Sequence, residues 1–137
     1  MTNTMWLNLP SQDLKKSKDF FLKIGFTMNE RHSAPHMVSM FVGSNQIVVN
    51  LFSENIFQGF IGGHAVTNAK QSNEVLFSIG ADSASAVDNL AKLAEEAGAT
   101  IYAKPAYKDG WMYGCGFADL DGHRWNILFM DMSKMKS

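Results

Sequence analysis

Residues 5–25 read Met5-Trp6-Leu7-Asn8-Leu9-Pro10-Ser11-Gln12-Asp13-Leu14-Lys15-Lys16-Ser17-Lys18-Asp19-Phe20-Phe21-Leu22-Lys23-Ile24-Gly25. Met5 to Leu9 is a short apolar stretch closed by Pro10, the pattern of a strand. Ser11 is placed to cap a helix, because its hydroxyl can accept from the free amides of a first turn. Leu14, Phe20, Phe21 and Ile24 then form one apolar stripe at helical spacing, which predicts a helix over 13–24. Gly25 stops it, since a left-handed residue costs little without a Cβ. Strands are predicted over 26–31, 37–42 and 46–52, the last rich in β-branched residues, with Gly43-Ser44-Asn45 as turn chemistry before it.

The second half repeats this order. Glu74 to Ile79 reads as a strand. Asp82 or Ser83 caps a helix with the stripe Val87, Leu90, Ala91, Ala94 and Ala97, and Gly98 ends it. Strands follow over 100–103, 112–118 and 124–130, with Asp119-Leu120-Asp121-Gly122 turning between the last two. Each half therefore reads strand, helix, strand, strand, strand, and such a half has a sheet face too apolar to stay wet. Residues 53–72 carry no clear period. They read as a linker with room for a short helix, joining two units or covering a site.

Composition sets outer limits. The chain has 137 residues, 46 % apolar and 18 % charged, which is globular rather than disordered. A net charge of −1, from 12 Lys and Arg against 13 Asp and Glu, speaks against nucleic acid as the main partner. No apolar run is long enough to span a membrane, and residues 1–10 lack a signal-like core. The one cysteine, Cys115, cannot form an internal disulfide or a cysteine-based zinc site. A cytoplasmic protein is the expectation.

Sorting strand residues by alternation sharpens the functional reading. Leu7, Leu9, Ile47, Val49, Leu51, Val75, Phe77, Ile79, Trp125, Ile127 and Phe129 fall on one face, wholly apolar, to be covered by the helices. Trp6, Asn8, Val48, Asn50, Phe52, Glu74, Leu76, Ser78, Arg124, Asn126 and Leu128 fall on the other. Large apolar groups with a few polar anchors are the make-up of a small-molecule pocket. An interface, a plain second core and a solvated face are the competing readings of the same pattern.

Other candidates weigh less. His32 and His36 are four apart, but Pro35 between them denies the helix that would align them. With His64 they read as loop residues, whereas His123 sits in a tight turn that could place it for proton transfer. Cys115, without a neighbouring base, reads as a buried inert thiol. Met28, Met37, Met40 and Met112 fill core gaps or line an adaptable pocket. Lys104 to Tyr113 carries Tyr107, Lys108, Trp111 and Tyr113 around Gly110, and reads as a flexible lid or ligand-stacking loop, or else as a surface or dimer contact.

Asn8-Leu9-Pro10, Asp13-Leu14-x-x-Ser17, Phe20-Phe21 and Gly25-Phe26, together with Asp119-Leu120-Asp121-Gly122-His123-Arg124-Trp125, resemble the vicinal oxygen chelate superfamily. This superfamily holds glyoxalase I, extradiol dioxygenases and bleomycin-resistance proteins. The resemblance runs over essentially the whole chain, and the late turn is its most specific piece. It implies an α+β fold of two paired βαβββ modules, module 1 about 1–52 and module 2 about 73–137. Their mixed sheet would curl into a cup with helices outside, within a single 1–137 domain. It also implies a homodimer.

Metal-dependent members of that family place four ligands on four strands. The resemblance carries those positions onto Trp6, Asn50, Glu74 and Asn126. An indole only donates, and neutral amides bind transition metals weakly, so only Glu74 is a strong ligand. The expectation is no metal cofactor, with a divalent metal as the alternative. The leading reading is a metal-independent binding protein of the bleomycin-resistance type, with no nucleic-acid or membrane partner. Trp6, Phe52, Trp111 and Tyr113 would enclose an apolar or aromatic small-molecule ligand. Glu74 would meet a cationic or donating group, and Asn8, Asn50 and Asn126 would orient it. The competing class is a lyase or dioxygenase, metal-dependent or with Glu74 as catalytic general base.

Overall fold

The repeated order becomes two four-stranded mixed sheets in the computed structural model, which describes residues 1–32, 34–44 and 46–135. The chain divides into a unit of Met1–Asn68 and a unit of Ala69–Ser137. The first contains β1 (Leu7–Ser11), α1 (Leu14–Lys23), β2 (Thr27–Met28), β3 (Met37–Val42), β4 (Ile47–Ser53) and α2 (Glu54–Phe60). The second contains β5 (Leu76–Gly80), α3 (Ala84–Glu96), β6 (Thr100–Lys108), β7 (Met112–Ala118) and β8 (Arg124–Met130). The sheet orders are β1-β4-β3-β2 and β5-β8-β7-β6, with β1 parallel to β4, β5 parallel to β8 and all other pairs antiparallel. This is the expected α+β class, two βαβββ units of one topology.

Alternation fixes both cores. In the first unit Leu7 stands opposite Val49 and Leu9 opposite Leu51, and Met40 and Val38 continue those rows. Helix α1 lays Phe20, Phe21 and Ile24 on that face, with Phe26 stacked 5.2 Å from Phe21, and all four are buried. In the second unit Phe77 opposes Trp125 and Ile79 opposes Ile127. Helix α3 covers them with Val87, Ala91 and Ala94. The removal of these apolar groups from water is the main stabilising term of each unit.

Several local expectations are corrected. The cap of α1 is Asp13, whose carboxylate accepts from the Lys16 amide at 3.1 Å. Ser11 instead lies buried at the end of β1, its hydroxyl 3.1 Å from that of Ser17. Pro10 stays inside β1, which is tolerable because β1 is an edge strand. Of the two cap candidates for α3, Ser83 is the one used, accepting from the Ala86 amide. Strand β2 has two residues, not six, although the Asn29 amide still reaches the Ser39 carbonyl at 2.8 Å. Strand β5 begins at Leu76, so Glu74 and Val75 precede it and are exposed.

Two loops also change character. Part of the stretch read as a linker is helix α2, which packs on β1 and β4 and belongs to the first unit. The segment read as a lid is a hairpin. β6 runs to Lys108, and only Asp109-Gly110-Trp111 separate it from β7. Asp109 and Gly110 both take positive φ, the geometry of a tight hairpin turn. Of the turn read over 43–45, Asn45 lies outside the described residues. Among the described residues no helix is long and apolar enough to cross a membrane.

Candidate functional site

In the first unit, the sheet face turned away from α1 carries a polar row that crosses β1, β4 and β3 and ends beside β2. Asn8 on β1 stands opposite Asn50 on β4, and Asn50 opposite Ser39 on β3. Asn29, just past β2, donates from its side-chain amide to the Ser39 hydroxyl at 3.3 Å. The Asn50 side-chain amide donates to Asn8 Oδ1 at 3.0 Å. The row forms because each strand puts one polar residue at the same register while its neighbours in sequence face α1.

This row floors a groove of about 660 Å³. Trp6, Met37, Phe41 and Val48 supply apolar wall, and Arg31 and His32 stand at its β2 end. Trp6 is 57 % exposed, whereas Asn50 is 8 % exposed. The Asn50 Oδ1 is, among the described residues, the one buried side-chain polar atom without a hydrogen-bond partner. A buried acceptor left unmet costs about 1–3 kcal/mol, so its persistence points to a donor that arrives from outside the fold.

Trp6 and Asn8 also border a second, more apolar pocket of about 540 Å³, lined by Phe52, Phe57, Phe60 and Ile61. Phe52 is buried beneath Phe60, whose ring meets it edge-on at 5.0 Å. Helix α2 therefore roofs part of the open face and leaves an aromatic slot beside the indole.

The second unit repeats the row in weaker form. Ser78 stands opposite Asn126 as Asn8 stands opposite Asn50. Tyr102 lies over the centre of the sheet, donating to Asn126 Oδ1 at 2.8 Å, and the Arg124 guanidinium sits 4.5 Å from its ring centroid. Its place is open because residue 116 is glycine: a Cβ there would come within 2.5 Å of the ring. Partial burial pushes the Tyr102 hydroxyl above its ordinary pKa, against the lowering pull of Arg124. Glu74, Asn126, Tyr102 and Arg124 border a shallow groove of about 330 Å³.

The expected site residues are shared between the two units. Trp6, Asn8, Asn50 and Phe52 come together on the first unit. Glu74 and Asn126 share the smaller groove of the second, where Glu74 is exposed rather than walled in. Tyr113 lies on the opposite, helix-facing side of its sheet. It pairs with Phe129, and its hydroxyl donates to Asp88 on α3 at 2.6 Å, a bond that raises its pKa. Trp111 is part of the hairpin turn, and its carbonyl accepts from Asp131.

Motif and spacing do not single out Arg31, Asn29, Ser39 or Tyr102, and they give His32 only a loop position. Alternation along β3 carries the signal for Ser39, a lone hydroxyl between Met37 and Phe41. The others follow from where the chain leaves β2 and from the bulge in β6, which no local pattern reports.

Asp119, Asp121 and His123 have side-chain atoms within 4.8 Å of one another. Asp119 is buried, and its donors are already present: the Asp121 and His123 amides meet Oδ1, and the Trp125 indole meets Oδ2, each at 3.0 Å. Burial raises its pKa, against the lowering pull of His123 and the indole. This carboxylate locks the turn that launches β8. Cys115 is buried among the core residues, which pushes its thiol up to about 11. That is the chemistry of an inert thiol, as expected.

The metal ligands of the resemblance do not fit these side chains. Register places Leu76 where the first unit has Trp6, and Ser78 where it has Asn8. Whichever pair is combined with Asn50 and Asn126, no carboxylate or imidazole stands in the rows, and amides and hydroxyls hold a divalent transition metal poorly.

A repeated βαβββ unit with an open, polar-floored sheet face defines the glyoxalase-like class of fold. The sequence profile described as bleomycin resistance protein-like N-terminal matches residues 3–43. A hypothetical protein from S. aureus is 36 % identical over 94 % of both chains, with a TM-score of 0.81. A glyoxalase-related enzyme from Fulvimarina pelagi is 19 % identical over 94 % of this chain and 88 % of its own, with a TM-score of 0.80. A genomically encoded fosfomycin resistance protein from Listeria monocytogenes, solved with Mn(II) and sulfate, is 12 % identical over 98 % and 94 %, with a TM-score of 0.70. No curated protein sequence matches significantly. These likenesses give the chain the fold shared by glyoxalase-related and fosfomycin resistance proteins, and its residues 3–43 match a bleomycin-resistance-like N-terminal region.

Proposed function

We propose that this chain binds a small organic molecule without a metal ion, on the open face of its first unit. One observation carries the reading. Where the resemblance implies a ligating acid, the sheet holds Asn50, buried, tied to Asn8 and with an unmet acceptor, beside the exposed Trp6. An indole and the slot of Phe52, Phe57 and Phe60 suit an apolar or aromatic body, and the amides suit its orientation. The cationic form of the ligand expected from Glu74 gains no support here, because Glu74 belongs to the other unit. The same proposal includes a cytoplasmic homodimer, which sedimentation velocity tests; a monomer would remove that part.

The decisive experiment is metal analysis of protein purified without chelator, followed by calorimetric titration with zinc, nickel and manganese. No stoichiometric ion and no saturable heat are expected. One divalent ion bound per chain would overturn the reading in favour of the metal-dependent lyase or dioxygenase class.

A further inference from the structure

The chemistry of the first groove also constrains what it takes, given that it is a ligand site. Its β2 end carries Arg31 and His32, and among the described residues no carboxylate lines it. Near Arg31, the Glu30 carboxylate is engaged elsewhere, 3.6 Å from Lys18. A guanidinium at the edge of an apolar-walled groove favours a carboxylate or similar anion, which it can meet with two parallel hydrogen bonds. At the other side, Asn50 Oδ1 needs the opposite partner, a donor. Asn50 lies on β4, β2 lies two strand spacings away, about 10 Å, and Arg31 is in the turn just past its end, so the two needs stand on the order of 10 Å or more apart.

We propose that the groove takes an organic anion with a flat apolar body and a hydrogen-bond donor at the end remote from the anion. The anion faces Arg31 and His32, the body lies against Trp6, and the donor meets Asn50. This rests on the binding reading above and names the ligand class within it.

Three compounds of similar span separate the terms: para-hydroxycinnamate, cinnamate, which lacks the donor, and tyramine, which carries a cation in place of the acid. Binding to the full chain is followed through the side-chain amide resonances of Asn8, Asn29 and Asn50. Para-hydroxycinnamate is expected to bind about tenfold more tightly than tyramine and several-fold more tightly than cinnamate. Arg31→Gln, at an exposed position, should erase the first ratio, and Asn50→Leu the second. Tyramine binding as tightly as para-hydroxycinnamate, or a ratio that survives Arg31→Gln, overturns the assignment of the anion and leaves the groove a ligand site. A donor advantage absent from the native chain, or surviving Asn50→Leu, overturns the assignment of the donor. If none of the three compounds shifts these amides at millimolar concentration, the ligand-site reading falls as well.

Discussion

Replacing Asn50 by leucine should make the protein more stable while erasing the proposed preference of its groove for a ligand that carries a donor. The two side chains have nearly the same shape, so the change swaps chemistry without opening a cavity. Asn50 is 8 % exposed, its Nδ2 donates to Asn8, and its Oδ1 meets nothing. Losing the bond to Asn8 costs about 1 kcal/mol, and Asn8 is itself exposed, so water can replace the donor. Relief of the unmet acceptor returns about 1–3 kcal/mol. Burying leucine in its place adds a further contribution of about 1 kcal/mol after discounting the compactness of the unfolded chain. The net expectation is stabilisation of about 1–3 kcal/mol, an upward shift of the thermal midpoint by roughly 4–10 °C for a chain of this size. Urea unfolding should show a higher midpoint at unchanged slope. Destabilisation by 1 kcal/mol or more would refute the reasoning. It would mean that the Asn50 oxygen is bonded within the fold and that the groove has no unmet need for a ligand to fill.

Asp119→Ala removes a buried acceptor of three N–H groups and strands the Trp125 indole, so a loss of about 3 kcal/mol by urea unfolding is expected; a loss below about 1 kcal/mol would deny the carboxylate its role in the turn. Gly116→Ala drives a Cβ into the Tyr102 ring and breaks its bond to Asn126, with an expected cost of about 1–3 kcal/mol. An unchanged melting temperature would show that the ring does not rest on β7. The Cys115 thiol, pushed up to about 11, keeps its proton in the folded chain after the unfolded chain has released it. Stability tied to this group is therefore present below the ordinary thiol pKa and declines as pH rises from about 9 toward the raised value. The stability gap between the native protein and Cys115→Ala should narrow over that window, and a gap that stays constant would contradict burial of the thiol.

The two βαβββ units are legible in the sequence because their signals are local. The apolar stripe of Phe20, Phe21 and Ile24 and that of Val87, Ala91 and Ala94 each report a helix face, and β3, β7 and β8 fall where alternation put them. The partition of Leu7, Val49 and Leu51 from Asn8 and Asn50 likewise follows from a period of two. So does the presence of indole and amides, in place of acids and imidazoles, at Trp6, Asn50 and Asn126, which needs only the identities at those strand positions. Tertiary structure decided what depends on pairing between distant segments. Register aligned Asn8, Asn50, Ser39 and Asn29 into one row and set Leu76, not Glu74, in the place of Trp6. The hairpin turned a supposed lid into strand and sent Tyr113 to the helix side, and the early end of β2 brought Arg31 to the groove. Hydrogen bonds between strands far apart in the chain make those choices, and a stretch of sequence carries the propensity of its own residues but not the identity of the neighbour it will meet.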